Sequence, residues 1–310
     1  MPDGGGVSPR DRVLRALRHE DQDFLPFTVP MNKGAFDKAA EFYGDPDFMG
    51  KVSRFIAATG VACRLPDARI TKEGFGSREL FHKDSPERYA HLAGFAEANN
   101  GMFTIVSGPS YFETLWGMYG MENLMADMAS DEAFVFRMMD RIHEYFMATI
   151  KGIVGHGVDC VHVNDDYGMQ QGLIMGVKYW RKYFKPYLKE AVAAIKAGGK
   201  YAQLHSCGDL TEIMPDIVDM GFDILNPFQV EAMDAAAMKR EYGRHITFSG
   251  GVSEQVVIAQ GTPDEVEAEI MHRIGQLGAG GGYILGPSQN VTDDVPAENI
   301  DRMIKVFERQ

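Results

Sequence analysis

Tyr201-Ala202-Gln203-Leu204-His205-Ser206-Cys207-Gly208-Asp209 is the stretch from which the fold is read. A β-prone run enters it, Gly208 follows, and the pattern turns helical from Thr211 to Asp219. A strand that passes directly into a helix is half of a βα unit, so His205 and Cys207 stand at a strand's mouth. Side chains alternate along an extended chain, which places these two on one face. Imidazole nitrogen and thiolate sulfur are ligands that zinc favours, at about 2.0–2.3 Å. Two ligands do not complete a site, and a lone His-x-Cys is more often structural than metallic.

The same grammar extends in both directions. Upstream, a helix (Pro86–Asn99) precedes a strand (Met102–Val106) that exits into Ser107-Gly108-Pro109-Ser110. Helices follow through Met128 and from Asp131 to His156. The strand Val158–Asn164 then exits into Asp165-Asp166-Tyr167-Gly168, and a long helix, Val177–Ala197, leads to the opening stretch. Downstream come helix 211–220, strand Asp223–Pro227, helix 232–242, strand His245–Phe248, helix Pro263–Leu277, strand Gly282–Leu285 and a last helix, Pro296–Glu308. At the start, a flexible lead (1–10) runs into a helix capped by Ser8 with Pro9 at its first position, and Phe24–Met31 reads as a strand. Cys63–Ile70 and Arg78–His82, flanking Glu73-Gly74-Phe75-Gly76, read as an inserted hairpin.

Strands alternating with helices imply parallel pairing and right-handed crossovers, and about eight such units fit the chain. The expected fold is therefore α/β: a single TIM-type (β/α) barrel over 11–310, with an N-terminal helical extension and a small hairpin insertion. A dinucleotide fold would need a glycine-rich turn after the first strand, and Pro30-Met31-Asn32-Lys33-Gly34 is not one. Gly278-Ala279-Gly280-Gly281-Gly282 precedes a strand and reads as a helix-to-strand turn.

A net charge of −13 argues against a nucleic-acid backbone or an anionic membrane as principal partner. Three scattered cysteines, Cys63, Cys160 and Cys207, are too few for a disulfide framework. No apolar run nears the ~20 residues of a membrane span, and the expected location is the cytoplasm. The methionines clustered from Met118 to Met139 read as core filling.

In a barrel of this kind the active site forms where strands end and βα loops begin. Those positions hold Asn32, Ser107, Asn164, Asp165, Asp166, Tyr167, His205, Cys207, Asp209, Asn226, Gln229, Glu231, Ser249, Glu254, Ser288, Gln289 and Asn290. Single members have plain alternatives as helix caps, but their concentration with His and Cys marks a site. Asp165 and Asp166 point in different directions, so at most one faces the centre; Asp166 is favoured, as a hard ligand or a proton acceptor. His162 reads as a buried, hydrogen-bonded histidine. Catalytic candidates are Asp166, Asp165 and His205. Substrate-binding candidates are Asn32, Trp116, Tyr167, Asn226, Gln229, Gln289 and Asn290.

The ordered series Arg12-Val13-Leu14-Arg15-Ala16-Leu17-Arg18-His19-Glu20, Asp165-Asp166-Tyr167-Gly168, Phe184-Lys185-Pro186-Tyr187-Leu188-Lys189, His205-Ser206-Cys207-Gly208-Asp209, Asn226-Pro227-Phe228-Gln229, Ser249-Gly250-Gly251-Val252, Gly281-Gly282-Tyr283-Ile284-Leu285-Gly286-Pro287-Ser288 and Pro296-Ala297-Glu298-Asn299 resembles the uroporphyrinogen decarboxylase superfamily. The resemblance implies a (β/α) barrel with its site at the C-terminal mouth. One branch of that superfamily decarboxylates a tetrapyrrole without metal, using an arginine-rich segment after the first strand; here Val29–Phe36 holds no arginine. The other branch comprises corrinoid-linked methyltransferases in which a His-x-Cys and a distant cysteine bind zinc. His205 and Cys207 match the first two ligands. The region expected to hold the third reads Pro287-Ser288-Gln289-Asn290, so Asp166, Glu231 or another group would have to complete the set.

The resemblance thus implies a methyltransferase, possessing zinc at His205 and Cys207, that moves a methyl group between a methyl ether or thiol and a corrinoid carried by a small partner protein. O-demethylation is included in that expectation, and an oligomer is compatible with it. A metal-free decarboxylase and a non-catalytic ligand-binding barrel are the alternatives.

Overall fold

The structure is a computed structural model that describes residues 6–61, 70–76 and 85–310. Seven strands form one sheet in sequence order: β1 (Ile56–Gly60), β2 (Phe103–Ser107), β3 (Cys160–Asn164), β4 (Tyr201–His205), β5 (Ile224–Phe228), β6 (Thr247–Val252) and β7 (Tyr283–Pro287). Every neighbouring pair is parallel. The sheet curls into a half-barrel of TIM type, with helices between successive strands and its apolar outer positions buried beneath them.

The run Phe24–Met31, expected as the first strand, stands beside β7 and touches it only at isolated bridges, Phe27 with Leu285 and Met31 with Val291. Pro26 and Pro30 explain this: each offers a carbonyl, to Leu285 N and Val291 N, but neither has an N–H for a ladder on its other side. The Phe27 ring nevertheless packs on Phe55, next to β1, at 4.9 Å between centroids. β1 itself escaped the sequence reading, because Ile56-Ala57-Ala58-Thr59-Gly60 is mostly residues of low β-propensity. The hairpin expected at Cys63–Ile70 and Arg78–His82 lies almost wholly outside the described residues; between its arms, Gly74–Gly76 is a single 3₁₀ turn.

Ser8 accepts a hydrogen bond from Asp11 N and Pro9 opens the helix Pro9–Leu17, as the sequence indicates. That helix packs against β1, β2 and β7, where Ala16 O accepts from Gly282 N, so it covers the N-terminal end of the barrel. The predicted single helix over 177–197 is two, Gly176–Tyr183 and Lys185–Ala197. Pro186 sits in the first turn of the second, where a missing N–H costs nothing, and so marks the break. Met118, Met128, Met138 and Met139 are all buried, which places the methionine cluster in the core. Among the described residues no helix is long and apolar enough to cross a membrane.

Candidate metal centre at the barrel mouth

A cavity of about 400 Å³ occupies the axis of the half-barrel. It is lined from every strand or strand end, from Thr28 and Pro30 round to Pro287, Gln289 and Asn290. Of the candidates read from the sequence, Ser107, Asp166, His205, Cys207, Asn226, Ser249, Gln289 and Asn290 line it. Three further polar residues do so as well, Thr28, His162 and Gln203. Gln203 was missed although the signal was present: it lies two positions before His205 and therefore on the same face of β4. No lysine or arginine lines the cavity among the described residues.

The mouth brings Asp166, His205 and Cys207 together, with one ligand atom of each within 4.8 Å of the others. Cys207 Sγ is 3.8 Å from His205 Nε2, and Asp166 Oδ1 is 3.9 Å from the same nitrogen. Two ligands on a tetrahedral zinc stand roughly 3.5 Å apart given its bond lengths, so a few tenths of an ångström of contraction would seat an ion. The histidine is already oriented for it. Its Nδ1 faces Asn226 Oδ1 at 3.1 Å, an oxygen that can only accept, so the proton is on Nδ1 and the Nε2 lone pair faces Asp166 and Cys207. Asn226 is in turn fixed by donating its Nδ2 to Ser249 Oγ. A carboxylate, an imidazole and a thiol, held by an outer hydrogen-bonded layer, fit a zinc-type ion.

Burial pushes the Cys207 thiol up to about 12, the Gln289 hydrogen bond pulling the other way. Binding an ion must therefore displace that proton, and apparent zinc affinity is expected to rise about tenfold per pH unit between roughly pH 7 and 9. Competition titrations with a chelator indicator across that range check it. His162, next to His205 with ring centroids 5.5 Å apart, is neutral: burial lowers its imidazolium to about 4. Gln203 Nε2 donates to its Nδ1 and its own Nε2–H donates to Asn164 Oδ1. It is thus the hydrogen-bonded histidine the sequence suggests, but it forms part of the cavity wall.

Asp165 departs from its candidate role. It is fully buried, away from the cavity, and accepts from the backbone amides of Tyr111, Phe112 and Glu113 and from the Tyr167 hydroxyl. These amides open the helix Tyr111–Tyr119, so Asp165 pins that helix to the end of β3. Burial raises its carboxyl to about 7 against the pull of the Tyr167 hydroxyl and the Glu113 and Phe112 amides. Tyr167 is likewise buried and bonded to it rather than to the cavity. Asn32 caps the helix Lys33–Tyr43, and Trp116 is 36% exposed outside the cavity lining. Gln229 supports from beneath, accepting from Gly208 N at 2.8 Å. Glu231 Oε1 accepts from Ser253, Gln255 and Ser288 while its Oε2 is buried without a hydrogen-bond partner, and of the two carboxylates considered as a further ligand it is Asp166 that stands beside His205 and Cys207.

Two glycines make this arrangement possible. The Asp165–Gly168 loop and the Ser206–Asp209 loop touch backbone to backbone: a Cβ on Gly168 would stand 2.4 Å from Cys207 O, and one on Gly208 2.4 Å from Gly168 C. Gly208 also has φ of +84°. Gly208→Ala is expected to cost about 2–3 kcal/mol and to weaken zinc binding, as read by urea unfolding and metal titration.

The fold and the site together define a TIM-type α/β barrel protein with polar chemistry at the strand C-termini. The sequence profile described as "Uroporphyrinogen decarboxylase (URO-D)" matches residues 96–310, and the chain belongs to that family. It is 22% identical to the methylcobamide:CoM methyltransferase MtbA of Methanosarcina acetivorans over 96% of this chain and 97% of that protein. It is 23% identical to a uroporphyrinogen decarboxylase of Pelodictyon phaeoclathratiforme over 59% of this chain and 51% of that one. Among solved structures, a methyltransferase from Methanosarcina mazei superposes with a TM-score of 0.73 at 16% identity, covering 98% of this chain and 99% of the other. That likeness shows the fold. Membership of the family, with these relatives, makes the chain an enzyme.

Proposed function

We propose that this enzyme transfers a methyl group between a small molecule and a corrinoid carried by a partner protein, with a zinc ion held by Asp166, His205 and Cys207. The observation that carries the reading is the convergence of those three side chains at the cavity mouth, with the Nε2 lone pair of His205 turned toward the other two. Zinc supplies Lewis acidity to the oxygen or sulfur that gives up or receives the methyl group. The chain's own contribution is placement. Asn226 and Ser249 orient His205, Asp165 and Tyr167 set the loop that carries Asp166, and Gln229 holds the loop that carries Cys207.

Full-length similarity to proteins named as methylcobamide:CoM methyltransferases supports this reading. A metal-free decarboxylase would ask more of Asp165, which is committed to the helix Tyr111–Tyr119. It would also want cations for carboxylates, and the described cavity lining has none. The test is methyl transfer with free cobalamin: methylcobalamin as donor to a thiol, and cob(I)alamin as acceptor from a methyl ether. Turnover in either assay, lost in His205→Ala, is expected. Carbon dioxide release from a carboxylate substrate, with no methyl transfer, would overturn it.

A further inference from the structure

The resemblance implies a second cysteine near the C-terminal end, and this chain has Gln289 there instead. The glutamine is not idle: its Nε2 donates to Cys207 Sγ at 2.9 Å. Its carboxamide offers a metal only a neutral, weak oxygen donor, in competition with a carboxylate, an imidazole and a thiolate. The end of the amide that faces the site is the N–H. Meanwhile the third ligand position is met by Asp166, whose Oδ1 lies 3.9 Å from His205 Nε2 and accepts from Cys207 N at 2.8 Å.

Resting on the methyl-transfer reading, we infer that Gln289 is a positioning residue that sets substrate class: it caps the Cys207 sulfur from outside the ligand set, leaving three ligands and one position open to the cavity for the oxygen of a methyl ether. Two features of the site favour oxygen over a thiolate at that position. Only one of the three protein ligands is sulfur, and the N–H bond draws charge off it, so the ion they hold is a harder acceptor. The surrounding wall also suits an oxygen-bearing, uncharged molecule, with amides and hydroxyls from Gln203, Asn226, Ser249 and Asn290. In the transfer the methyl–oxygen bond breaks and its electron pair stays on oxygen, which takes a proton from solvent. The carbon–cobalt bond forms from the electron pair of the Co(I) corrinoid, which becomes methyl-Co(III).

The test uses the full chain loaded with Co²⁺ as a spectroscopic substitute, comparing wild type with Gln289→Leu and Gln289→Glu. Leucine is close in size and lacks the N–H; the thermal midpoint of that variant confirms its fold. The expected results are a sulfur-to-cobalt charge-transfer band that moves to lower energy in Gln289→Leu, and ligand-field bands that respond to added imidazole in wild type. In Gln289→Glu the new carboxylate closes the open position and the response disappears. With cobalamin, the wild type should prefer an aryl methyl ether to 2-mercaptoethanol, and Gln289→Leu should narrow that preference about tenfold. An unmoved charge-transfer band in Gln289→Leu, no response to imidazole in wild type, or a wild-type preference for the thiol would each overturn the inference while leaving methyl transfer standing. Absence of transfer with both substrates would instead overturn the underlying reading.

Discussion

Cys207→Ala should lose stoichiometric zinc and lower methyl transfer by more than about 100-fold, the upper end of what losing a mere outer-layer partner costs. The sulfur is one of three groups converging on a single point, and the remaining Asp166 and His205 are 3.9 Å apart with no further His, Cys, Asp or Glu grouped with them among the described residues. Two ligands hold zinc far less firmly than three. The fold should survive, because Cys207 is only partly buried and its backbone N–H, which binds Asp166, is kept. Elemental analysis and the cobalamin assay read the loss, and a thermal midpoint close to wild type separates it from unfolding. Retained zinc would place the ion elsewhere.

The second large effect is on stability. Asp165→Ala would strand the buried amides of Tyr111 and Phe112, the partly buried amide of Glu113 and the Tyr167 hydroxyl, all of which now point at one carboxylate. Each buried donor without a partner costs about 1–3 kcal/mol, so a combined loss of at least about 4 kcal/mol is expected, with a fall of the thermal midpoint of about 6 °C or more. Asp165→Asn keeps an acceptor oxygen for part of the set and should lose about half as much. Calorimetry of both variants checks the ordering. If Asp165→Ala instead kept wild-type stability and lost only turnover, Asp165 would be a catalytic group and its structural assignment wrong.

The barrel was legible because its signal is redundant. Every strand from β2 to β7 is followed by a helix, and strand-end polar residues reappear round the cavity. What the sequence hid follows from local physics. β1 is built of alanine, threonine and glycine around one isoleucine, and its pairing with β2 rather than its own propensity holds it extended. Phe24–Met31 has strand composition but two prolines that prevent a continuous ladder.

Within the site, the alternation that pairs His205 with Cys207 also points to Gln203. Between Asp165 and Asp166 the sequence supports only a preference, because the amides that engage Asp165 belong to a helix, Tyr111–Tyr119, far away in sequence. Glu231 and Asp166 could not be ranked as ligands from sequence, since only the folded chain brings Asp166 beside His205 and Cys207 and turns Glu231 Oε1 toward Ser253 and Ser288. Gln289, which breaks the expected ligand pattern, proves to lie against the very sulfur that pattern would have had it assist.

The most direct test of the account is the metal content of the purified full chain after dialysis against zinc, alongside His205→Ala. Close to one zinc per chain in wild type, and a small fraction of that in the variant, is the predicted result. A wild-type protein that takes up no zinc or other transition metal yet transfers methyl groups with cobalamin would contradict the metal centre at the heart of the account.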